Sequence, residues 1–292
     1  MAQILGIGNA TLDIIHALDG YPRENDEVRC SSRTVSRGGN VANTLVVLSQ
    51  LEHSCRWAGV LADTAEGRLV RDDLESNGID TAACRLLDNG SMPVSTILLN
   101  TASGSRTIVH YRDLPEYSCA DFESLDLRSC DWLHFEGRNI EQLEPMMRWS
   151  RTRFPSLPRS LEIEKPRQGI EALFGLADVL LFSREYARHH GYDAPEELLR
   201  AVRDSSPQAD LYCTWGGQGA AGLDRRDQVC RQPALAPSRV IDTLGAGDTF
   251  NAAVIHGCLV GLDTASLLRQ ACALAGKKCG QTGFAGLARA GS

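Results

Sequence analysis

Apolar positions along the chain alternate between two spacings. Ile4–Gly8 (ILGIG) is a short apolar run ending in glycine and reads as a buried strand. Asn40–Leu51 carries apolar residues at 41, 45, 48 and 51, a helical spacing, and opens directly after Gly38-Gly39. Arg56–Leu61 is again strand-like. Glu66–Asn77 follows as a helix, with Gly78 placed as its C-cap. Further on, strands are expected at Trp132–Phe135, Ser160–Ile163, Val179–Phe182 and Leu211–Trp215. Helical patterns fall between them at Ile140–Phe154, Arg167–Leu176, Arg184–His190 and Pro195–Asp204, and two more end the chain at Ala246–Val260 and Thr264–Cys279. Such alternation implies an α/β fold with a mostly parallel central sheet covered on both faces.

Two regions break the rhythm. Glu27–Ser36 is β-prone with little helical character. Val94–Asn100 and Ser105–Tyr111 are β-prone runs separated by TASG, a hairpin signal. They are hard to fit inside a parallel sheet. They read as a small β-sheet lid made of two insertions, approximately residues 12–37 and 92–114, on a single domain spanning 1–292. No internal repeat, heptad run or low-complexity segment is visible.

Composition narrows the partners. The 292 residues, 43% hydrophobic, can bury a substantial core. A net charge of −7 disfavours nucleic acid and anionic lipid, both polyanions. Leu176–Phe182 (LADVLLF) is far too short to span a bilayer. The N-terminus lacks a basic segment and a small-residue cleavage site, so a cytoplasmic protein is expected. Ten cysteines are scattered singly with no C-x-x-C pair, which fits reduced thiols rather than a zinc site. Cys272 and Cys279, seven apart on one helix face, are expected in the core.

The chemistry concentrates in two strings. Asp242–Ala252 reads DTLGAGDTFNA, with Gly245, Ala246 and Gly247 where the chain enters an apolar helix. Small residues admit a ligand close to the backbone, and a helix N-terminus stabilises an anion. Asp248 then sits in the first turn beside that anion hole, placed to take a proton from a hydroxyl attacking phosphorus. The plainer alternative is a first-turn aspartate that merely favours the helix dipole. The second string is Arg37-Gly38-Gly39-Asn40-Val41-Ala42-Asn43. Asn40 and Asn43 share one face of the first turn, and neutral amides suit sugar hydroxyls. A plain helix N-cap is the alternative for Asn40. Asp13 follows the first strand and could accept from two hydroxyls. No G-x-x-x-x-G-K-[ST] occurs, so a P-loop is excluded. No G-x-G-x-x-G follows the first strand either, which disfavours a NAD-dependent dehydrogenase.

Together, RGGNVANT near residue 40 and DTLGAGDTFNA near residue 248 resemble the two signatures of the ribokinase-like (PfkB) carbohydrate kinases. The strings GGN near 40, ASGSRTI at 102–108, HFEGRN at 134–139, EIEKPR at 162–167, VIDTLGAGDTFNA at 240–252 and AGKKCG at 275–280 resemble that family's ketohexokinase branch.

The resemblance implies a three-layer α/β/α fold with a β-sheet lid, and a homodimer in which the lids clasp each other. It implies ATP as co-substrate with Mg²⁺, and phosphorylation of the 1-hydroxyl of fructose or a related ketose. Kinases for ribose, another sugar or a nucleoside remain as alternatives, as does a sugar- or nucleotide-binding regulator without catalysis. By the same resemblance Asp248 is the base and the Gly245–Asp248 backbone is the anion hole. Asp13, Gly39, Asn40 and Asn43 hold the sugar. Arg106 reaches the transferring phosphate from the lid hairpin, and the glycine-rich stretch containing Gly216, Gly217, Gln218 and Gly219 borders the nucleotide. Arg138 and Asn139 lie near the sugar or form a structural salt bridge. Glu164 sits near the Mg²⁺-water network. Where many relatives carry N-x-x-E, this chain has Ser183-Arg184-Glu185-Tyr186. Asn25 stands where an acidic sugar contact from the partner's lid is expected, with Asp26 next to it. A K⁺ ion near the anion hole would use Asp242 and the loop near Gly280–Gly283.

Overall fold

The computed structural model describes residues 1–288. Its strands, in chain order, are β1 Gln3–Ile7, β2 Thr11–Leu18, β3 Ser32–Gly38, β4 Ser54–Ala58, β5 Val60–Ala62, β6 Ile79–Asp80, β7 Arg85–Leu87, β8 Val94–Asn100, β9 Arg106–Tyr111, β10 Trp132–Glu136, β11 Arg159–Ile163, β12 Val179–Phe182, β13 Asp210–Thr214, β14 Ala220–Leu223 and β15 Val229–Gln232. The helices are α1 Asn40–Gln50, α2 Ala65–Ser76, α3 Cys119–Glu123, α4 Ile140–Arg153, α5 Arg184–His189, α6 Pro195–Val202, α7 Ala246–Leu259 and α8 Thr264–Cys279.

Nine strands form the main sheet in the order β15-β14-β13-β12-β11-β10-β1-β4-β6. From β13 to β6 every neighbouring pair is parallel; β14 and β15 add an antiparallel edge. The central strands are buried on both faces because helices cover both. Leu5, Leu133, Leu161, Leu180 and Leu211 lie fully buried along it. Helix α1 packs on β1 and on α7, and α7 on α8, while α6 packs on β13 and β14. The result is a three-layer α/β/α body. No helix among the described residues is long and apolar enough to cross a membrane.

A second sheet has the order β3-β2-β8-β9. Strand β2 pairs antiparallel with β3 and parallel with β8, and β8 and β9 form the hairpin expected around TASG. Register fixes its two faces. Asp13, Ser36, Ser95 and His110 share one cross-strand row; Ile14, Val35, Thr96 and Val109 form the next, on the opposite face.

Several expected elements differ in detail. Arg56–Leu61 is two strands. β4 pairs with β1 as far as Ala58, then the chain leaves the main sheet and Gly59 O accepts from Arg85 N at 2.8 Å, so β5 pairs with β7 instead. In Glu27–Ser36 only Ser32 onward is strand. Arg167–Leu176 contains a 3₁₀ helix at Ile170–Leu176 rather than an α-helix. Its buried Ile170, Leu173 and Phe174 have a spacing that both helix types share. The β14–β15 hairpin was not legible, because its connection DRRDQ carries no Gly or Pro punctuation. Cys272 is buried, whereas Cys279, the last residue of α8, is only half-buried.

Candidate active site

A cavity of about 500 Å³ opens at the C-terminal ends of β1, β10, β11, β12 and β13, between the main body and the inner face of the second sheet. Ligands of open α/β sheets bind at this end of the strands. Two helix N-termini, those of α1 and α7, point into it.

The start of α7 is set by Gly245, whose φ of +75° is left-handed. A side chain there would also collide with the Phe284 ring, since its Cβ would stand 2.2 Å from Cζ. Asp248 lies in the first turn and is buried. Its Oδ2 accepts from Asn43 Nδ2 at 2.7 Å, and its backbone carbonyl accepts from Thr44 Oγ1 at 3.3 Å. Burial pushes its pKa up, to about 7. The Asn43 hydrogen bond opposes the rise, the charges of Glu164 and Glu136 add to it, and Arg37 counters it weakly.

The amide that orients Asp248 is itself held. Asn43 Oδ1 accepts from Arg37 Nη1 at 2.7 Å, and Arg37 Nε donates to Asp73 Oδ2 at 2.6 Å. A continuous chain thus runs Asp73–Arg37–Asn43–Asp248. Arg37 stood in the sequence motif without a role. Replacing it by Met should leave Asn43 Oδ1 buried and unpaired, cost about 1–3 kcal/mol of stability and lower turnover about tenfold. Thermal unfolding and kcat of Arg37→Met check this; unchanged turnover would remove Arg37 from the relay.

Gly39 has φ +110°, and a Cβ on it would stand 2.2 Å from Asn9 O, so the loop after β1 crosses directly over the start of α1. Asn40 is not a side-chain N-cap. Gly39 is the cap residue, and Asn40 Nδ2 instead donates to Glu162 Oε1 and Glu164 Oε2, each at 3.1 Å. Burial raises the pKa of Glu162 well above the ordinary range, and the charges of Asp248, Glu164 and Glu136 push the same way. Burial raises Glu136 to about 7 against the opposing pull of Arg138 and Asn9 N–H. Asp13 Oδ1 accepts from Thr11 Oγ1 at 2.9 Å; burial raises its pKa too, with the Thr11 and Ser95 hydroxyls opposing. Five carboxyls line the cavity, Asp13 from the second sheet and Glu136, Glu162, Glu164 and Asp248 from the main body.

Asp13, Gly39, Asn40, Asn43, Arg106, Glu164, Gly245, Gly247 and Asp248 all line the cavity. Ala246 does not. Neither do Gly216, Gly217, Gln218 and Gly219, which form a 3₁₀ turn beyond Thr214, with Gly216 against the Arg184 guanidinium. Arg138 lines the cavity and also pairs with Glu116 at 3.3 Å, whereas Asn139 caps α4 outside it. Arg106 Nη1 reaches Thr243 Oγ1 at 3.4 Å, bringing the second sheet to the segment before α7. Missed from sequence were Lys165, Arg167 and His110. The last had a signal: two-residue alternation along β9 puts Arg106, Ile108 and His110 on one face.

The family model described as pfkB family carbohydrate kinase matches residues 1–288. Ketohexokinase of Mus musculus is 39% identical, covering 98% of each chain. Adenosine kinase from Sinorhizobium meliloti superposes with a TM-score of 0.83 at 18% identity, covering 98% of this chain and 97% of that one. Arabidopsis thaliana ribokinase complexed with ribose and ATP superposes with a TM-score of 0.78 at 22% identity, covering 97% and 94%. At such identities the two structures speak for the fold alone; the full-length family match and the mouse relative carry the assignment. The chain belongs to the pfkB family of carbohydrate kinases.

Proposed function

We propose that the chain transfers the γ-phosphoryl group of ATP to the 1-hydroxyl of fructose or a related ketose, with Asp248 as the base. The observation that carries this reading is the buried Asp248 carboxyl. It is oriented by Asn43 in the first turn of α7 and faces a cavity with Asp13 and Asn40 on its wall. A carboxyl whose pKa lies near 7 can take the hydroxyl proton as the oxygen attacks phosphorus. Gly245 and Gly247 open the α7 N-terminus to the transferring phosphate. Asp13, Asn40 and Asn43 supply the mixed donors and acceptors that sugar hydroxyls need. The likeness to mouse ketohexokinase supports a ketose as acceptor.

The nucleotide would run from the α7 N-terminus past Thr214 toward Gly216–Gly219, which border rather than line the cavity. Among the described residues no group of three His, Cys, Asp or Glu side chains is arranged to hold a metal. That suits Mg²⁺, which keeps its waters and takes the rest of its ligands from phosphate. Glu164, with a side chain 46% exposed on the cavity wall, fits as its water-mediated partner. When bound, the ion would neutralise charge on the β- and γ-phosphates.

The second sheet would act as a lid and as the contact between two copies. Val109 (63% exposed) and Tyr111 (60% exposed) lie on its outer face by alternation from His110, and Val35 lies in the same cross-strand row as Val109, at the opposite edge of the sheet. The turn carrying Asn25, at φ +67°, and Asp26 would reach the partner's sugar. A cytoplasmic location goes with this reading.

A panel of fructose, tagatose, xylulose, ribose, glucose and adenosine, each with ATP and Mg²⁺, tests the acceptor. Turnover is expected with fructose and its ketose relatives. Turnover confined to an aldose or a nucleoside would refute the ketose assignment, and none on any acceptor would favour a binding protein without catalysis.

A further inference from the structure

The family resemblance made Asp242 and the loop near Gly280–Gly283 candidates for holding a K⁺ ion. The side chains found there do not fit one. The Lys278 side chain is wholly buried, and its Nζ donates to Asp242 Oδ2 at 3.0 Å, to Asp242 O at 3.2 Å and to Gln281 O at 3.3 Å. An ammonium has three donors, and all three are used. The Phe284 ring lies over it, with its centroid 5.6 Å from Nζ. The oxygens that would coordinate a small cation are already turned onto a cation that belongs to the chain.

That cation is tied to the anion hole. The other oxygen of the Asp242 carboxylate, Oδ1, accepts from Leu244 N at 2.9 Å, one residue before Gly245. Phe284 covers Gly245 itself. Cys279 O accepts from Ile241 N at 2.7 Å, so the end of α8 is stitched to the segment leading into α7. Lys278 also sits in the last turn of α8, where a positive charge is favoured by the helix dipole.

We propose that the Lys278 ammonium is a permanent internal substitute for a monovalent cation. It acts as a positioning residue that fixes the Asp242–Gly245 turn and frees catalysis from K⁺. Removing the side chain would leave a carboxylate oxygen and two carbonyls converging on a hole of cation size, since an uncompensated buried charge is costly. A small cation should then fill it. This inference rests on the kinase reading for its kinetic arm only.

The test compares wild type with Lys278→Ala in choline chloride, KCl and NH₄Cl at equal ionic strength. Wild-type turnover of fructose should be the same in all three. The variant should lose about 30-fold in kcat in choline, short of the ~10²-fold that a 1 Å misplacement at a reacting centre can cost. It should recover saturably with K⁺ or NH₄⁺. The second readout is the thermal midpoint of the substrate-free protein, which K⁺ should raise for the variant and not for wild type. That measurement stands even if fructose is not the substrate. Wild-type turnover that depends on K⁺ overturns the proposal. So does a variant that gains neither turnover nor thermal stability from either cation, or that stays unfolded in K⁺.

Discussion

Asp248→Asn should lower kcat by about 10²–10⁴-fold, the usual contribution of a positioned general base, with little change in ADP affinity. The substitution is close to isosteric, and Asn43 Nδ2 can still donate to the new amide oxygen, so the relay through Arg37 should persist. What disappears is the proton acceptor. In wild type, kcat/KM should rise with pH through about 7 as Asp248 gives up its proton, and that limb should be missing from the variant. The same residue makes an opposite prediction for stability. Its pKa rises from 3.8 unfolded to about 7 folded, so the folded state holds this proton more tightly. The associated stability is present below the unfolded value and is lost as pH rises through the folded one. At pH 8 wild type therefore carries a buried carboxylate beside Glu136 and Glu164, and Asp248→Asn relieves it. The variant should melt above wild type at pH 8, with the difference closing at pH 4. An Asp248→Asn enzyme that turns over normally would place the base elsewhere.

Asp248 and Asn43 were legible because each sits in a string whose spacing is local: a first helical turn after small residues. Their meeting across 205 positions was not, since nothing in the sequence says that α1 and α7 pack side by side. Arg37 was invisible for a related reason. Its partners are Asn43, six residues on, and Asp73 on α2, and only the turn at Gly39 brings the three together. For Asn40, read either as a sugar contact or as a plain cap, the structure removes the second alternative. A helix-first asparagine reads as a cap, but the capping position falls one residue earlier and the amide is left to bridge two carboxyls on and just beyond β11. Parallel strands such as β1 and β12 read well because burial on both faces gives them nearly continuous apolar runs. β5 and β7, three residues each, and β6, of two, are too short to show any period. Lys278 was passed over because a lysine in a helix's last turn ordinarily caps carbonyls at the surface, and its complete burial depends on Phe284 and Asp242, which arrive from either side.

Arg106→Met should lower kcat by about 10²–10³-fold, the size of effect seen when one preorganised donor to developing charge is lost. Arg106 begins β9 on the face that carries Ile108 and His110 into the cavity. Its 3.4 Å contact with Thr243 lies at the long end of hydrogen bonding, so the guanidinium is loosely held and can turn onto an arriving phosphate. Thr243 directly follows Asp242, so the arginine stands over the turn that Lys278 holds from behind. One cation would thus fix the anion hole and the other would complete it. The two should separate in experiment. Arg106 is exposed, so Arg106→Met should leave the thermal midpoint unchanged and lose its rate whatever salt is present. Arg106→Lys should recover only part of that rate, because lysine keeps the charge but not the planar fork that grips two phosphate oxygens. A decrease in kcat of less than about threefold in Arg106→Met would instead mark a solvated strand arginine, since a donor acting on the transition state is expected to matter far more than that.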